Sequence, residues 1–433
     1  MIRSTAIVLA CFATTILSGT AASAADGEVA AEMMAGIERR TTAAVSLLER
    51  IVNVNSGTMN FAGVRTVARL LEPEFTALGF TTRWVEGNAF DRSGHLIATR
   101  PGSGPKIVLI GHLDTVFEPD SPLQRFERLD GNLARGPGVT DMKGGIVVML
   151  EALRALGEVR GLGAFDFAVV LHGDEEDPGT PLDRARQDLI ALARDAQVAI
   201  GFEDGDGRLE TAVIARRGAS SWRLETLGRP AHSSLIFADG IGFGAIYEMA
   251  RILSEFREAL AGEPYLTFNP GLVLGGTTVD FDAAQLRGRT AGKDNVIAER
   301  SVVSGDLRTL SPEQLVQARA TMREIVARHL PGTTAEIDFL ESYPPMAPTD
   351  GNRRLLTMLD AASRDLGYGA VTAVDPRDAG AADISFVAAR VDMAIDGVGL
   401  SGTGGHTLEE TADLSALPIQ AARVALLLHR LAP

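Results

Sequence analysis

The stretch that decides the fold is KIVLIGHLDTVF, at residues 106–117. Its apolar run Ile107–Ile110 is short and mostly β-branched, which is typical of a strand buried on both faces of a parallel sheet. In an extended chain residues i and i+2 share a face, so His112 and Asp114 are expected to project together beyond the carboxyl end of this strand. That end is where open α/β sheets hold their ligands.

A second stretch, LARGPGVTDMKGG at residues 133–145, supplies another carboxylate. Asp141 follows the glycine-rich turn Gly136–Gly138 and leads into an apolar helical pattern. One imidazole, from His112, and two carboxylates, from Asp114 and Asp141, are thus expected to converge at the edge of the sheet. The two stretches together predict a metal site.

Three further segments place acidic or imidazole side chains after a buried strand or in a glycine-rich loop: HGDEE at 172–176, GFED at 201–204 and GTGGH at 402–406. Two adjacent glutamates, Glu175 and Glu176, are costly at a buried strand end unless a cation compensates their charge. Together with the first site, these segments supply two histidines and three carboxylates from different strand ends. Such a set is sufficient for two zinc ions bridged by one carboxylate.

The amino terminus has the features of a secretory signal peptide. Arg3 precedes an apolar run at residues 6–17, and small residues follow as far as Ala24, after which cleavage is expected. An uncut signal anchor is the alternative. Removal of the first 24 of 433 residues leaves 409, and the only cysteine, Cys11, is lost with them. Thiol catalysis, disulfides and cysteine-bound zinc are therefore excluded for the predicted mature chain.

The composition limits the partners of this chain. Its formal net charge is −15, and it becomes −16 once Arg3 is removed. Such an acidic surface argues against nucleic acid or an anionic membrane as a partner. It leaves the substrate open, because a few local arginines can still bind an anion. No pattern in the sequence indicates an organic cofactor.

The order of helix and strand patterns predicts one α/β domain with an insertion. Strands and helices alternate up to about Arg217 and again after residue 330, which favours a mostly parallel sheet covered by helices. The intervening patterns follow a β-α-β-β-α-β-like order, which is typical of an α+β domain with an antiparallel sheet. The predicted organisation is a signal peptide at 1–24, a zinc-binding catalytic domain at 25–216 and 331–433, and an inserted dimerisation or lid domain at 217–330.

The motifs GHLDTV, GPGVTDMKGG, GDEE, FED and GGH, in this order, resemble those of the dinuclear zinc aminoacylase and carboxypeptidase family, peptidase family M20. The resemblance is greatest to the glutamate carboxypeptidase branch and covers nearly the whole mature chain. It implies a zinc aminopeptidase-like catalytic domain and a ferredoxin-like inserted domain that pairs subunits into a homodimer.

The resemblance implies five metal ligands shared between two zinc ions: His112 and Glu203 on one, Glu176 and His406 on the other, and Asp141 bridging. It also implies that Glu175 is the general base and that Asp114 orients His112. The role of Asp114 agrees with the coordination chemistry of histidine, because a metal-bound histidine usually donates its second N–H to an orienting group. Asp204 is the alternative to Glu203. Strand alternation points these two side chains in opposite directions, so only one of them can bind a metal, and Glu203 is favoured.

On the substrate side, the resemblance implies that His232 contacts the scissile carbonyl, in some members from the neighbouring subunit. It implies that Asn295 and Arg308 hold the carboxylate of the substrate; a surface salt bridge is the alternative for Arg308. Departures from the family pattern occur here, including Ala298 in place of a proline and an AGAAD segment, ending at Asp383, in place of the family's GGGTD. These departures leave the preferred amino acid open.

One histidine close to the predicted site, His172, is interpreted as a packed, hydrogen-bonded residue. A contact to the substrate is the alternative.

The implied function is an exported zinc amidohydrolase, a carboxypeptidase that releases a C-terminal amino acid, of the glutamate type, from small peptides or N-acyl amino acids. An N-acyl amino acid deacylase or a dipeptidase on the same scaffold is the alternative. A non-catalytic peptide or metal binder is a third possibility, but no ligand or base of the implied set is missing from the sequence.

Overall fold

The structure is a computed structural model that describes residues 14–432, with side chains from residue 27 onward. The first 13 residues of the predicted signal peptide therefore lie outside the described residues. The helix Thr14–Val52 begins within the remainder of that peptide. Within the described part of the chain, no helix combines the length and the apolar character needed to cross a membrane.

A six-stranded sheet, called the first sheet below, forms the centre of the larger part of the molecule. In spatial order its strands are Thr81–Glu86, Gly94–Arg100, Asp166–His172, Lys106–His112, Val198–Gly201 and Met393–Ile395. The last four of these strands are mutually parallel, whereas the first two pair antiparallel at one edge. The predicted class, a mostly parallel α/β sheet covered by helices, is confirmed.

The central strand Lys106–His112 is buried on both faces, as its sequence predicts. Ile107 and Leu109 belong to one hydrophobic core, and Val108 and Ile110 belong to the core on the opposite face. The five long helices of this part pack on the first of these cores: Thr14–Val52, Phe61–Ala77, Lys143–Val159, Asp350–Asp365 and Ala416–Leu431. The short helices Gln187–Leu192 and Ser385–Ala388 cover the second core, and Leu182–Ala185 precedes them.

A four-stranded antiparallel sheet, called the second sheet below, carries two helices on one face. Its elements in chain order are the strand Gly218–Gly228, the helix Ala245–Leu260, the strands Thr267–Gly276 and Arg300–Thr309, the helix Pro312–Val326 and the strand Thr333–Leu340. In space the strands lie in the order second, third, first, fourth, which is the ferredoxin-like arrangement. Trp222 lies in the core of the second sheet, whereas Trp84 lies on the first sheet beneath the Arg65 guanidinium.

The fourth strand of the second sheet lies beyond residue 330, where the sequence predicted that the insertion ends. Thr333–Leu340 pairs along its length with Gly218–Gly228. Pro331 and Gly332 form the turn that leads into this strand, with Gly332 at φ +74°, and they are not a boundary between domains. The predicted boundary therefore falls too early, because the edge strand is needed to complete the sheet.

Smaller sheets accompany these two, and one of them borders the predicted site. A small four-stranded sheet joins Gly402–Thr403, Thr411–Asp413, Leu133–Arg135 and Glu127–Arg128. Two strand pairs complete the fold, a hairpin of Thr278–Asp282 with Arg287–Ala291 and a short pairing of Thr211–Ala212 with Thr372–Ala373. The small four-stranded sheet matters most for the site, because it holds the loop of His406 beside the segment that leads to Asp141.

Candidate metal centre

Three adjacent parallel strands end at the same edge of the first sheet and deliver polar side chains there. His112 ends the strand Lys106–His112 and lies in register with His172, which the Glu175–Glu176 pair closely follows. The neighbouring strand Val198–Gly201 is followed by Glu203. Because these strands are parallel and paired, their carboxyl ends meet, as the sequence predicted.

Five of the predicted residues form two groups that share Asp141. In the first group, His112 Nε2 lies 3.0 Å from Asp141 Oδ1 and 3.4 Å from Glu203 Oε1. In the second group, His406 Nε2 lies 2.9 Å from Asp141 Oδ2 and 3.1 Å from Glu176 Oε2. The two carboxylate oxygens of Asp141 therefore face different groups. Such an arrangement would suit a carboxylate that bridges two metal ions.

The donor set fits two divalent cations. Ligands about 2.0–2.1 Å from a tetrahedral zinc ion lie about 3.3 Å from each other. The distances from the two imidazole Nε2 atoms to the carboxylate oxygens, 2.9–3.4 Å, are close to that value. In addition, Glu176 Oε1 is buried without a hydrogen-bond partner. A buried carboxylate oxygen without a donor is costly unless a cation lies beside it.

The electrostatics of the site also favour a cation. Burial, together with the charge of Asp141, raises the pKa of Glu176 to about 7, and burial raises that of Glu203 to about 7 as well. Burial and the charge of Asp383 raise the pKa of Glu175 well above its usual range. Each of these shifts reflects carboxylates whose negative charge the surrounding protein does not fully compensate. A divalent cation would supply the missing positive charge.

Asp114 holds His112 in the orientation that a metal ligand requires. His112 Nδ1 lies 3.1 Å from the Asp114 carbonyl oxygen and 3.4 Å from its Oδ1, so Nδ1–H donates to Asp114 and Nε2 faces Asp141. The same carboxylate accepts hydrogen bonds from the backbone N–H groups of Glu175 and Glu176, each at 3.1 Å, and from the hydroxyl of Thr58 at 2.7 Å. Asp114 thus connects the first group to the glutamate pair.

Glu203 and Asp204, the two alternative ligands, differ in position. Glu203 joins the group of His112 and Asp141, and among the described residues Asp204 belongs to neither group. The Glu203 backbone N–H donates to Asp396 Oδ1 at 3.2 Å, and Asp396 in turn contacts the buried guanidinium of Arg216 at 3.0 Å. The backbone after the strand is therefore anchored where Glu203 leaves it.

Glu410 is a site residue to which the sequence analysis gave no role. Its buried carboxylate accepts hydrogen bonds from the backbone N–H groups of Gly138, Thr140 and Asp141, at 3.0, 2.8 and 3.2 Å. It lies four residues after His406, so it fastens the His406 loop to the turn that presents Asp141. Its position beside the glycine-rich histidine segment was the available signal, but its partners lie about 270 residues away in the sequence.

We expect Glu410→Ala to lower the free energy of unfolding by about 3 kcal/mol, because it leaves several buried N–H donors without an acceptor. We also expect a 10- to 100-fold loss of metal affinity, roughly the usual effect of removing a residue that orients a ligand. Urea unfolding and metal titration measure the two effects. The control is Glu409→Ala: this neighbouring side chain is 79% exposed. Equal effects of the two variants would contradict the role of Glu410.

The structure does not bring the predicted substrate residues into either group. His232 is exposed, and its Nδ1 lies 2.8 Å from the hydroxyl of Ser234. The Asn295 carbonyl accepts a hydrogen bond from Ser233 at 2.9 Å, so Asn295 and His232 are neighbours. Arg308 lies elsewhere, near the opposite end of the second sheet, with its Nε 3.2 Å from Asp306 Oδ2. These three residues therefore divide into two separate locations.

His172 is a packed residue in this structure. It is fully buried, and its Nδ1 lies 2.5 Å from Asp383 Oδ2, a close contact that is not aligned as a hydrogen bond. Its ring also packs edge-on against His95, with 4.5 Å between the ring centroids. The favoured interpretation is therefore matched in its packing, whereas neither ring nitrogen has an aligned hydrogen bond within the described part of the chain.

Comparison with known proteins identifies the family of this chain. The family model of peptidase family M20/M25/M40 matches residues 108–430. Carboxypeptidase G2 from Pseudomonas sp. strain RS-16 is 25% identical over 385 residues, which cover 87% of this chain and 86% of that protein. Succinyl-diaminopimelate desuccinylase from Acidiphilium cryptum is 27% identical over 391 residues, covering 86% and 94% respectively.

Solved structures show the same fold. Aminopeptidase PepT from Bacillus cereus aligns with a TM-score of 0.70 at 20% identity, covering 91% of this chain and 99% of that one. The YXEP protein of Bacillus subtilis, described as a dinuclear metal binding peptidase from the M20 family, aligns with a TM-score of 0.60 at 17% identity, covering 90% and 99%. The chain therefore belongs to peptidase family M20/M25/M40 and is a hydrolase of the metallopeptidase type.

Proposed function

We propose that this protein is a zinc-dependent carboxypeptidase that cleaves the amide bond beside a free carboxylate and releases a C-terminal amino acid of the glutamate type. One observation carries the proposal: the two oxygens of Asp141 face two ligand groups, and Glu175 directly precedes a ligand of one of them. The similarity to carboxypeptidase G2 along most of the chain supports a carboxypeptidase activity, that is, the release of a C-terminal amino acid.

We assign two zinc ions to the two groups, with His112 and Glu203 on one, Glu176 and His406 on the other, and Asp141 between them. Imidazole nitrogens and carboxylate oxygens are ligands that suit zinc. When bound, the zinc ions would lower the pKa of a water molecule and polarise the scissile carbonyl.

The side chains of the protein perform the remaining steps. Glu175 takes a proton from the attacking water and later gives it to the leaving amine nitrogen as the C–N bond breaks. The Arg308 guanidinium holds the free carboxylate of the substrate, since its planar group can donate two parallel hydrogen bonds. His232 donates a hydrogen bond to the carbonyl oxygen as negative charge develops there, and Asn295 lies beside His232.

The separation of these residues supports a homodimer. Arg308 pairs with Ala219, next to Gly218, where the chain enters the second sheet. The other end of the same strand, Arg300, pairs with Leu227. His232 and Asn295 lie beyond that other end. Eight residues of strand span about 26 Å at 3.3 Å per residue. We therefore propose that Arg308 serves the site of its own chain and that a second copy supplies His232 and Asn295.

This arrangement predicts complementation between inactive variants. We expect Glu175→Gln and His232→Ala each to be nearly inactive alone. After the two variants are mixed under conditions that exchange subunits, about a quarter of wild-type activity should return, because half the random twofold dimers contain one complete site out of two. Turnover of an N-acyl glutamate measures the recovery.

A mixture of Glu175→Gln with Asp141→Ala is the matched control for complementation. Both of these changes fall in the same half of the proposed composite site, so no dimer of the two variants contains a complete site. Recovery in this control, or no recovery in the first mixture despite subunit exchange, would contradict a site shared between chains.

The second candidate is an N-acyl amino acid deacylase or a dipeptidase. The 27% identity to a desuccinylase favours it. A substrate panel that varies the acyl group and the released amino acid independently separates the candidates, with metal content measured by mass spectrometry on the same sample. A content of two zinc ions together with a preference for releasing glutamate would support the carboxypeptidase. A content of two zinc ions together with a preference for other acyl groups or amino acids would keep the mechanism and change the assigned substrate. Absence of both tightly held metal and turnover would favour a non-catalytic binder.

We further propose that the protein is exported to the periplasm or beyond and that residues 1–24 are removed. The signal-peptide pattern of the first 24 residues supports this proposal. Intact-mass measurement of the protein in the periplasmic or extracellular fraction tests it, with a chain that begins at Ala25 as the expected result. A full-length chain in the membrane fraction would contradict it.

A further inference from the structure

A buried polar cluster, called the Arg186 cluster below, lies behind the proposed base and has no part in the reaction described above. Its members are His172, Asp174, Arg186, Tyr343 and Asp383. Four of them are at most 2% exposed, and Tyr343 is 8% exposed. Charged groups are rarely buried this completely unless each has a partner, and keeping them buried is costly. The cluster therefore calls for a specific explanation.

Arg186 is the centre of this cluster. Its Nε donates to Asp383 Oδ1 at 2.6 Å, and its Nη1 donates to Asp174 Oδ1 at 2.7 Å. Its Nη2 donates to the Asp174 carbonyl oxygen at 3.0 Å and to the Tyr343 hydroxyl oxygen at 3.1 Å. Only a rigid planar guanidinium can reach four acceptors in this way.

Tyr343 carries the connection from Arg186 to the base. Its hydroxyl accepts from Arg186 and donates to the carbonyl oxygen of Glu175 at 2.8 Å. The carbonyl oxygen of Asp174 thus accepts a hydrogen bond from Arg186, and that of Glu175 accepts one from Tyr343. On the other side, the carboxylate of Asp114 accepts from the N–H groups of Glu175 and Glu176. The backbone of the base is held on both sides.

This support is needed because regular secondary structure ends before the base. The strand stops at His172, and residues 173–181 contain neither helix nor strand. A catalytic side chain must be held within about 0.5 Å of its productive position by packing and hydrogen bonds around it. Tyr343 can provide such support, because it lies in a segment fixed to neighbouring backbone. Its carbonyl accepts from Ala219, and Met346 exchanges hydrogen bonds with Arg216.

We propose that Arg186 and Tyr343 are positioning residues that hold Glu175 in place through its backbone. This inference rests on the proposed function, because it takes Glu175 to be the general base. Their side-chain hydrogen bonds go to Asp174, Asp383 and Glu175 and to each other, and within the described part of the chain none goes to a residue of the two ligand groups. Asp383 and Asp174 fix the Arg186 guanidinium, and His172 contacts the second oxygen of Asp383.

Tyr343→Phe is the test, because it removes one hydroxyl and keeps the ring that packs against Phe386. We expect unchanged zinc content and an unchanged melting temperature. We expect kcat to fall about 10- to 100-fold, as for loss of a residue that orients a metal ligand, and KM to stay constant. Deuterium exchange of the segment 172–180 should rise. Tyr368→Phe is the matched control, since within the described residues the hydrogen bond found for its hydroxyl is a weak one, to Met34 Sδ at 3.5 Å.

A double variant distinguishes positioning from a general loss of structure. In a Glu175→Gln background the base is already absent, so Tyr343→Phe should lower the residual rate by less than about threefold. Arg186→Lys should act in the same direction as Tyr343→Phe, since an ammonium cannot reach all four acceptors. An unchanged kcat in Tyr343→Phe, or an equal loss in both backgrounds, overturns the proposal.

The exchange measurement keeps this inference separable from the proposed function. If the zinc-loaded wild-type protein hydrolyses no member of the substrate panel, the proposed function is wrong. The kcat values of wild type and Tyr343→Phe then cannot be compared. Deuterium exchange of 172–180 then still decides whether Tyr343 holds this segment. Equal exchange in Tyr343→Phe and wild type overturns the inference in either case.

Discussion

Glu175→Gln is expected to reduce turnover by about 10²- to 10⁴-fold, the usual contribution of a general base. Glutamine keeps the shape of the side chain but cannot take a proton from water. Zinc content should stay at the wild-type value, because Glu175 belongs to neither ligand group. Initial rates on an N-acyl glutamate, together with metal analysis by mass spectrometry, measure both quantities on one sample.

Glu86→Gln provides the control for the charge change, because Glu86 is exposed at the end of an edge strand of the first sheet. It should leave both the rate and the metal content unchanged. A Glu175→Gln protein that binds zinc normally and keeps the wild-type rate would exclude Glu175 as the base.

Asp141→Ala is expected to remove both metal ions and with them all measurable activity. Its two oxygens are shared by the two groups, so its loss leaves each group with only two ligands. Zinc that binds the folded protein stabilises it by RT ln(1 + [L]/Kd), about 2.7 kcal/mol at one hundred times Kd. The melting temperature of the wild type should therefore rise with added zinc, and that of Asp141→Ala should not.

The control for this variant is Asp130→Ala, since Asp130 is an exposed aspartate on the segment that leads to the Asp141 turn. It should bind two zinc ions and show the same zinc-dependent stabilisation as the wild type. If Asp141→Ala retained two zinc ions, a bridging role for this carboxylate would be wrong.

The part of the site that lies on the first sheet could be predicted because it depends on local pattern. The run Ile107–Ile110 is apolar and β-branched without a break, and both faces of the strand proved to be buried. Once parallel strands are identified, the residues that follow them must meet at one edge. The segments that carry His112, Glu176 and Glu203 could therefore be placed near each other from pattern alone, whereas the resemblance implied which of their side chains bind a metal.

The supports of the site could not be predicted in the same way. Arg186 meets Asp383 across 197 residues, and Glu410 meets the Gly138–Asp141 turn across about 270. Nothing local in the sequence distinguishes a buried arginine of this kind from a surface one. The edge strand Thr333–Leu340 was missed because Pro331 and Gly332 look like the end of a domain, although they are equally suitable for a turn.

The positions of His232 and Arg308 show the limit of reasoning from motifs alone. Both residues belong to segments that resemble substrate-binding motifs, but a motif carries no information about which end of a strand faces the site. The strand pairing places them near opposite ends of the second sheet. This geometry supports the proposal, which the family resemblance also implied for His232, that a complete site needs two chains.

The placement of the two tryptophans has a practical consequence for spectroscopy. Trp84 lies on the first sheet under a guanidinium, 4.5 Å from the ring centroid, whereas Trp222 is fully buried against Phe256 in the second sheet. Each half of the molecule thus has its own intrinsic fluorophore in a different environment. With Trp84→Phe and Trp222→Phe, the emission of each half can be followed separately during denaturation, and coincident transitions would identify the two halves as one cooperative unit.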